Sequence, residues 1–173
     1  MNQIQLLILL TFFILLASEH FRSLRDHPGY GVSNRGRVRN LRTGRTLATK
    51  TSNSGYKQVH LNRTCEYIHR LVATEWVPNP EHKACVDHID GNKINNLVSN
   101  IRWATVTENM RNKSKSANRS SKFKGVSKHY NKWLVHICNQ HVGVFVDERA
   151  AAMAYNNHAK EYFGVFAKLN QMD

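Results

Sequence analysis

An acid and an imidazole stand side by side at Asp87 and His88. A loop rich in glycine and asparagine follows over residues 90–100, carrying Gly91, Asn92, Asn95, Asn96 and Asn100. Next comes a short β-like run, Ile101 to Thr105, and then a helix start at Thr107 with Glu108 and Asn109 in its first turn. These residue types suit phosphodiester hydrolysis, which needs an activated water, charge neutralisation at phosphorus and help for the departing 3′ oxygen. An imidazole serves as general base near neutral pH. A carboxylate and an amide oxygen are hard ligands for a divalent cation that keeps waters in its other positions. Asp87 and Asn109 are therefore the expected metal ligands and His88 the expected base, while the amide of Asn100 closes the loop. One tension stands: successive strand residues point to opposite faces. Asp87 and His88 can serve one site only if the strand bends there or the cation sits at its edge.

The elements that must position these groups are short. Ile68, Leu71, Val72, Glu75 and Trp76 fall at helical spacing, and Pro78 and Pro80 stop that helix. His69 lies off the stripe, where a lone helical histidine is more often structural or solvated. From Asp26 to Leu61 the alternation around Val38 and from Tyr56 to Leu61 reads as half-buried strands. Their polar side would carry Arg35, Arg37, Arg39, Arg42 and Arg45 toward phosphates. Residues 113–122 lack apolar periodicity and read as a basic linker. Beyond it, Phe123 to Val126, Trp133 to Ile137 and Val142 to Phe145 read as strands, with turns at Tyr130-Asn131 and Asn139-Gln140-His141. Asp147 then caps a helix from Glu148 to Tyr162 whose stripe would be Ala150, Ala151, Ala154, Tyr155, His158 and Tyr162. The exposed sheet face would present Lys124, Lys128, Lys132 and Trp133, and such a face can enter the major groove.

The 173 residues carry Lys+Arg 25 against Asp+Glu 12, a net charge of +13 spread over both halves. That favours a polyanionic partner. Cys65, Cys85 and Cys138 form no CxxC pair, which argues against a disulfide framework or a four-cysteine zinc site and fits a reducing compartment. Cys85 and His88 as half of a zinc site find no second half. The apolar run from Ile4 to Ala17 is shorter than the roughly 20 residues of a membrane span. It has the length of a signal core but no preceding Lys or Arg. An adventitious or weakly anchoring segment is favoured over a secretion signal, with membrane association not expected and a cytoplasmic location ahead of a secreted one.

The central stretch resembles the HNH family of nucleases with their ββα-metal core. The matching fragments are Asp87 to Lys93, Asn95-Asn96, Ser99 to Trp103 and Thr107-Glu108-Asn109, with His69 to Ala73 and Pro78-Asn79-Pro80 upstream. The resemblance implies His88 as general base, Asp87 and Asn109 as metal ligands and Asn100 as the central asparagine that steadies the loop. The position of Asn109 is often histidine in that family. Pro28 to Leu41 resembles a nuclease-associated DNA-binding motif of phage homing endonucleases. Residues 121–170 are similar to the APETALA-type domain of ethylene-response factors, carried by Phe123 to Val126, Trp133, Gly143 to Phe145, Ala150-Ala151, Ala154-Tyr155, Gly164 and Phe166 to Asn170; the segment between Trp133 and Gly143 is shorter than usual there. The expected fold is α+β: an apolar segment at 1–18, a β-rich motif at 26–62, a ββα nuclease core at 63–113, a linker at 114–121, and a three-stranded sheet with a helix at 122–170. The implied function is a metal-dependent homing endonuclease acting on double-stranded DNA as a monomer. It would use one divalent cation, Mg2+ ahead of Mn2+, and no small-molecule cofactor. A DNA-binding regulator with an inactive core is the alternative.

Overall fold

The computed structural model describes residues 18–113 and 120–172. The apolar run at 4–17 and most of the expected linker lie outside the described residues. The fold is mixed α/β, and the described residues divide into two compact units. The first takes residues up to His82 together with Asn92–Trp103; the second takes Lys83–Gly91 and the chain from Ala104 onward.

In the first unit, β1 (Phe21–Ser23), β2 (Tyr30–Ser33) and β3 (Val38–Asn40) form an antiparallel sheet with β2 in the middle. A second antiparallel sheet has β5 (Lys57–Leu61) between β4 (Thr49–Thr51) and β6 (Thr64–Tyr67). β1 precedes the boundary expected at residue 26. Period-two alternation points Val32, Val38, Val59 and Leu61 inward, where they are buried with Ile68, Val72 and Ala73 of helix α1 (Ile68–Trp76). The helix has the bounds expected from its apolar spacing, and Pro78 follows its extended C-cap Val77. Its last turn is tied to the first sheet. Trp76 Nε1 donates to Val32 O at 3.1 Å, and Arg22 Nη1 donates to Glu75 O at 2.6 Å while stacking over the Trp76 ring. His69 is buried against the rings of Tyr56 and Tyr67, a packing position.

The loop of the central stretch is seated on this unit. Val98 N donates to Asn34 O at 2.8 Å. Gly36, at the β2–β3 turn, has φ +76°, and a Cβ there would lie 2.6 Å from Asn96 Cβ. Only glycine tolerates both that backbone and that approach.

In the second unit, β9 (Val126–His129), β10 (Lys132–Ile137) and β11 (Gln140–Phe145) form an antiparallel sheet with β10 in the middle. It packs on a long helix, Glu148–Phe163, capped by Asp147 through Ala150 N at 2.7 Å. Three expectations shift. The strand expected from Phe123 starts at Val126, because Gly125 turns at φ +74° with the Tyr155 ring directly against it. The second turn is Cys138-Asn139, with Cys138 at φ +52°. The buried side of the long helix is Ala151, Ala152, Tyr155 and Ala159, while Ala150 and Tyr162 are exposed, so the core takes the ridge beside the expected one.

The expected DNA face also divides. Trp133 packs against the core beside Val135 and Ile137, with Lys128 directly opposite it across β9. Alternation puts Lys132 on the other side of β10. Lys124 is half-buried and lies before β9, off the sheet. The four residues therefore do not share one open face. No helix among the described residues is long and apolar enough to cross a membrane.

Gly36→Ala tests the seating of the loop. It should lose about 1–3 kcal/mol on the scale of backbone strain, read as a lower urea midpoint. Gly44→Ala, with φ +70° but open space around it, should lose less. Equal losses would show that the contact with Asn96 does not matter.

Candidate active site

Two elements of the second unit carry the candidate chemistry. Strand β7 (Cys85–His88) ends on Asp87 and His88, which are 5% and 4% exposed. Val86 is buried as well, so this end of the strand is covered on both sides, and the expected divergence of neighbouring side chains leaves neither in solvent. Gly91 N donates to His88 O at 2.8 Å and turns the chain at φ +80°.

After β8 (Ile101–Ala104), helix α2 (Val106–Arg111) packs on β7. Six residues make a weak helix alone, and its start is fixed by a capping box. Thr105 Oγ1 accepts from Glu108 N at 3.2 Å, and Glu108 Oε2 accepts from Thr105 N at 2.7 Å. Lys83 Nζ adds a bond to Glu108 at 3.1 Å. The Thr105 backbone bond, aided by Lys83, holds the Glu108 carboxyl below its usual range against the opposing effect of burial.

The last turn of α2 leads to Asn112, buried and in helical conformation. Its Nδ2 donates to Asp87 Oδ1 at 3.0 Å, Asp87 Oδ2 at 3.1 Å and His88 O at 2.8 Å, with Ile89 O at 3.4 Å. Residues three apart on a helix are neighbours. Asn109, half-buried, therefore lies on the same side of α2 as the amide that holds Asp87. Beside Asn112 lies a cleft of about 740 Å³ whose lining includes Ile89, Lys122, Lys124, Lys168 and Asn170.

Asn100 belongs to the first unit and is buried there. Its Nδ2 donates to Asn95 O at 2.8 Å, so its amide braces the loop. Among the expected arginines, Arg37 is paired with Glu19, and Arg39 stacks 3.8 Å from the Phe21 ring centroid. Arg35, Arg42 and Arg45 are exposed.

The donor set bears on a metal. Among the described residues no group of three or more His, Cys, Asp or Glu could hold an ion. One buried carboxylate and one helix-borne amide instead fit a hard cation that retains several waters.

Residues 66–111 match the family model described as HNH endonuclease, and residues 19–62 match the NUMOD4 motif. Residues 66–111 are thus similar to an HNH endonuclease segment. DNA endonuclease I-HmuI of Bacillus phage SP01 is 37% identical over 98 residues, which span 53% of this chain and 56% of that protein. The HNH endonuclease L560 of Acanthamoeba polyphaga mimivirus, itself uncharacterised, is 36% identical over 120 residues, 69% of this chain and 60% of that one. A solved structure, described as DNA binding and cleavage by the HNH homing endonuclease I-HmuI, superposes with a TM-score of 0.50 at 36% identity. The superposition covers 54% of this chain and 56% of the other. The chain thus spans about half the length of I-HmuI. HNH nucleases generally use a divalent metal ion. The HNH match stops one residue short of Asn112, the residue that sequence reading missed. Its one signal was an asparagine one helical turn beyond Asn109.

The lowered Glu108 carboxyl sets a pH dependence. A carboxylate depressed in the folded state contributes stability above its ordinary value of 4.5, and that contribution is lost as pH falls below it. Urea midpoints measured down a pH series should therefore fall less steeply for Glu108→Gln than for the native chain below about pH 4.5. Parallel curves would remove the capping box from the acid response.

Proposed function

We propose that the chain is a metal-dependent DNA endonuclease of homing type that hydrolyses phosphodiester bonds in double-stranded DNA. The observation that carries this reading is the Asp87–His88 pair buried at the end of β7, with α2 packed on that strand and bringing Asn109 to the same side as the amide on Asp87. The HNH match over these residues supports it. His88 acts as general base and takes the proton of the attacking water. Asp87 and Asn109 would hold one divalent cation, Mg2+ ahead of Mn2+. When bound, that ion supplies charge stabilisation at the phosphate and at the leaving 3′ oxygen. Asn100 keeps the loop folded through Asn95 O.

Exposed Arg35, Arg42 and Arg45 of the NUMOD4 segment supply phosphate contacts, as do Lys128 and Lys132 of the C-terminal module. That module, a three-stranded antiparallel sheet on one long helix, we read as an APETALA-type DNA-binding domain. A single site acting as a monomer nicks one strand, inside the cell that holds the target DNA.

A supercoiled-plasmid assay tests the reading. The native chain should nick with Mg2+ and stop on addition of EDTA. His88→Ala should lose about 100-fold or more, the scale of general-base catalysis, with DNA affinity retained. Tight DNA binding without nicking in Mg2+ or Mn2+ would favour the regulator with an inactive core. Loss of binding in His88→Ala would make that residue structural.

A further inference from the structure

We propose that Asn112 is a positioning residue that confines Asp87 to coordination through one oxygen and so selects a small, water-retaining cation over Ca2+. This rests on the reading of Asp87 as a cation ligand.

The chemistry of the Asn112 side chain is fixed by its surroundings. Its amide nitrogen faces Asp87 Oδ1, Asp87 Oδ2, His88 O and Ile89 O. Exchanging the amide oxygen and nitrogen would set an oxygen against four acceptors, so the nitrogen must point there. The amide has two hydrogens. One serves His88 O, the shortest of the four contacts at 2.8 Å. The other is shared between the two Asp87 oxygens, nearly equidistant at 3.0 and 3.1 Å. A donor equally distant from both oxygens sits near the bisector of the carboxylate. That is where an ion chelated by both oxygens would have to sit. While the amide stays, the position between the two oxygens is closed to a metal.

The amide is held there firmly. Asn112 is 5% exposed. The carbonyls on either side of it, Arg111 O and Lys113 O, both accept from Lys124 Nζ. Lys124 is therefore a clamp on the end of α2. Its ammonium is lowered from its ordinary range by burial and by the nearby charge of Lys168.

One-oxygen coordination matters because the two hard cations differ. Ca2+ takes more ligands at longer distances and often accepts a carboxylate through both oxygens. Mg2+ demands octahedral geometry and keeps waters around one or two carboxylates, each of which can bind through a single oxygen. A carboxylate closed to chelation suits the second ion and withholds from the first a favoured contact.

The test is calorimetric binding of Mn2+, standing in for Mg2+, and of Ca2+ to the full chain without DNA. It compares the native protein with Asn112→Leu, Asn112→Ala and Asp87→Ala, and records thermal unfolding of each without metal. The native chain should prefer Mn2+. Loss of the Asn112 amide should weaken Mn2+ by about 10–100-fold, the usual scale for an outer-shell partner. Ca2+ should be weakened less or strengthened, so that the Mn2+/Ca2+ ratio falls by about tenfold or more on that scale. Leucine keeps the volume of the side chain and alanine avoids a clash, so a variant that fails to fold leaves the other to report. If Asp87→Ala leaves binding intact, the ligand reading fails and this inference with it. If Asp87 is required but the ratio is unmoved by either Asn112 variant, this inference alone is overturned.

Discussion

A carboxylate taken out of water costs several kcal/mol unless bonds to its charged form replace the lost hydration, and Asp87 is almost fully buried. The Asn112 amide contributes to that replacement, on a scale of roughly 1.5–3 kcal/mol for a hydrogen bond to a charged group. Much of the second unit follows from keeping that amide in place. The helix that delivers it is only six residues long and has little stability of its own. Its first turn is pinned by the Thr105–Glu108 box and by Lys83, its last by Lys124. Fixing both ends fixes the rotation of α2, and that rotation sets where Asn109 lies. A structural demand, a partner for a buried charge, thus places the amide that the proposed chemistry needs.

The same device recurs where apolar packing is thin. The loop at 92–100 has few buried apolar side chains, and backbone-directed amides and main-chain bonds hold it instead: Asn100 on Asn95 O, and Val98 N on Asn34 O. The C-terminal tail is tied in the same way. Asn170 exchanges bonds in both directions with the Lys124 main chain, and Asn156 does so with the Asn170 main chain. An asparagine carries donor and acceptor on one short side chain, so it can replace a missing stretch of ladder. The asparagine richness of the central stretch is architectural as well as chemical.

This explains which features were legible in the sequence. Helix α1 was, to the residue, because its apolar spacing and the following prolines answer to local rules. Asp87, His88 and Asn109 stood out because an acid beside an imidazole, a loop of glycine and asparagine, a short strand and a helix-borne amide follow one another in one short stretch. Asn112 did not, since its importance lies in a bond to a residue 25 positions away. The face of Trp133 was misjudged for a similar reason. Its strand has intermediate residues at both Trp133 and Leu134, and only the packing of the long helix decides which of them turns inward. The alanine stripe of that helix was displaced by one ridge because alanines occupy both candidate ridges, and the bulky Tyr155 sets the choice against Gly125.

Net charge is a poor guide to where a polyanion would be met. Of the basic groups, Arg22 and Arg25 hold Glu75, Arg37 holds Glu19, Arg39 lies on Phe21, Lys83 holds Glu108 and Lys124 holds carbonyls of the α2 terminus. Those side chains make contacts within the protein, although Arg25 and Arg37 stay largely exposed, whatever the formal +13 suggests. The salt sensitivity of DNA binding scales with the phosphates neutralised, and that number is set by side chains able to reach outward. Arg35, Arg42, Arg45, Lys128 and Lys132 are exposed; the arginines lie in the turns around β3 and the lysines on β9 and β10. Affinity built this way is distributed, so no single arginine should dominate it. The proposed cleavage differs, because it rests on one base, His88, and one cation between Asp87 and Asn109.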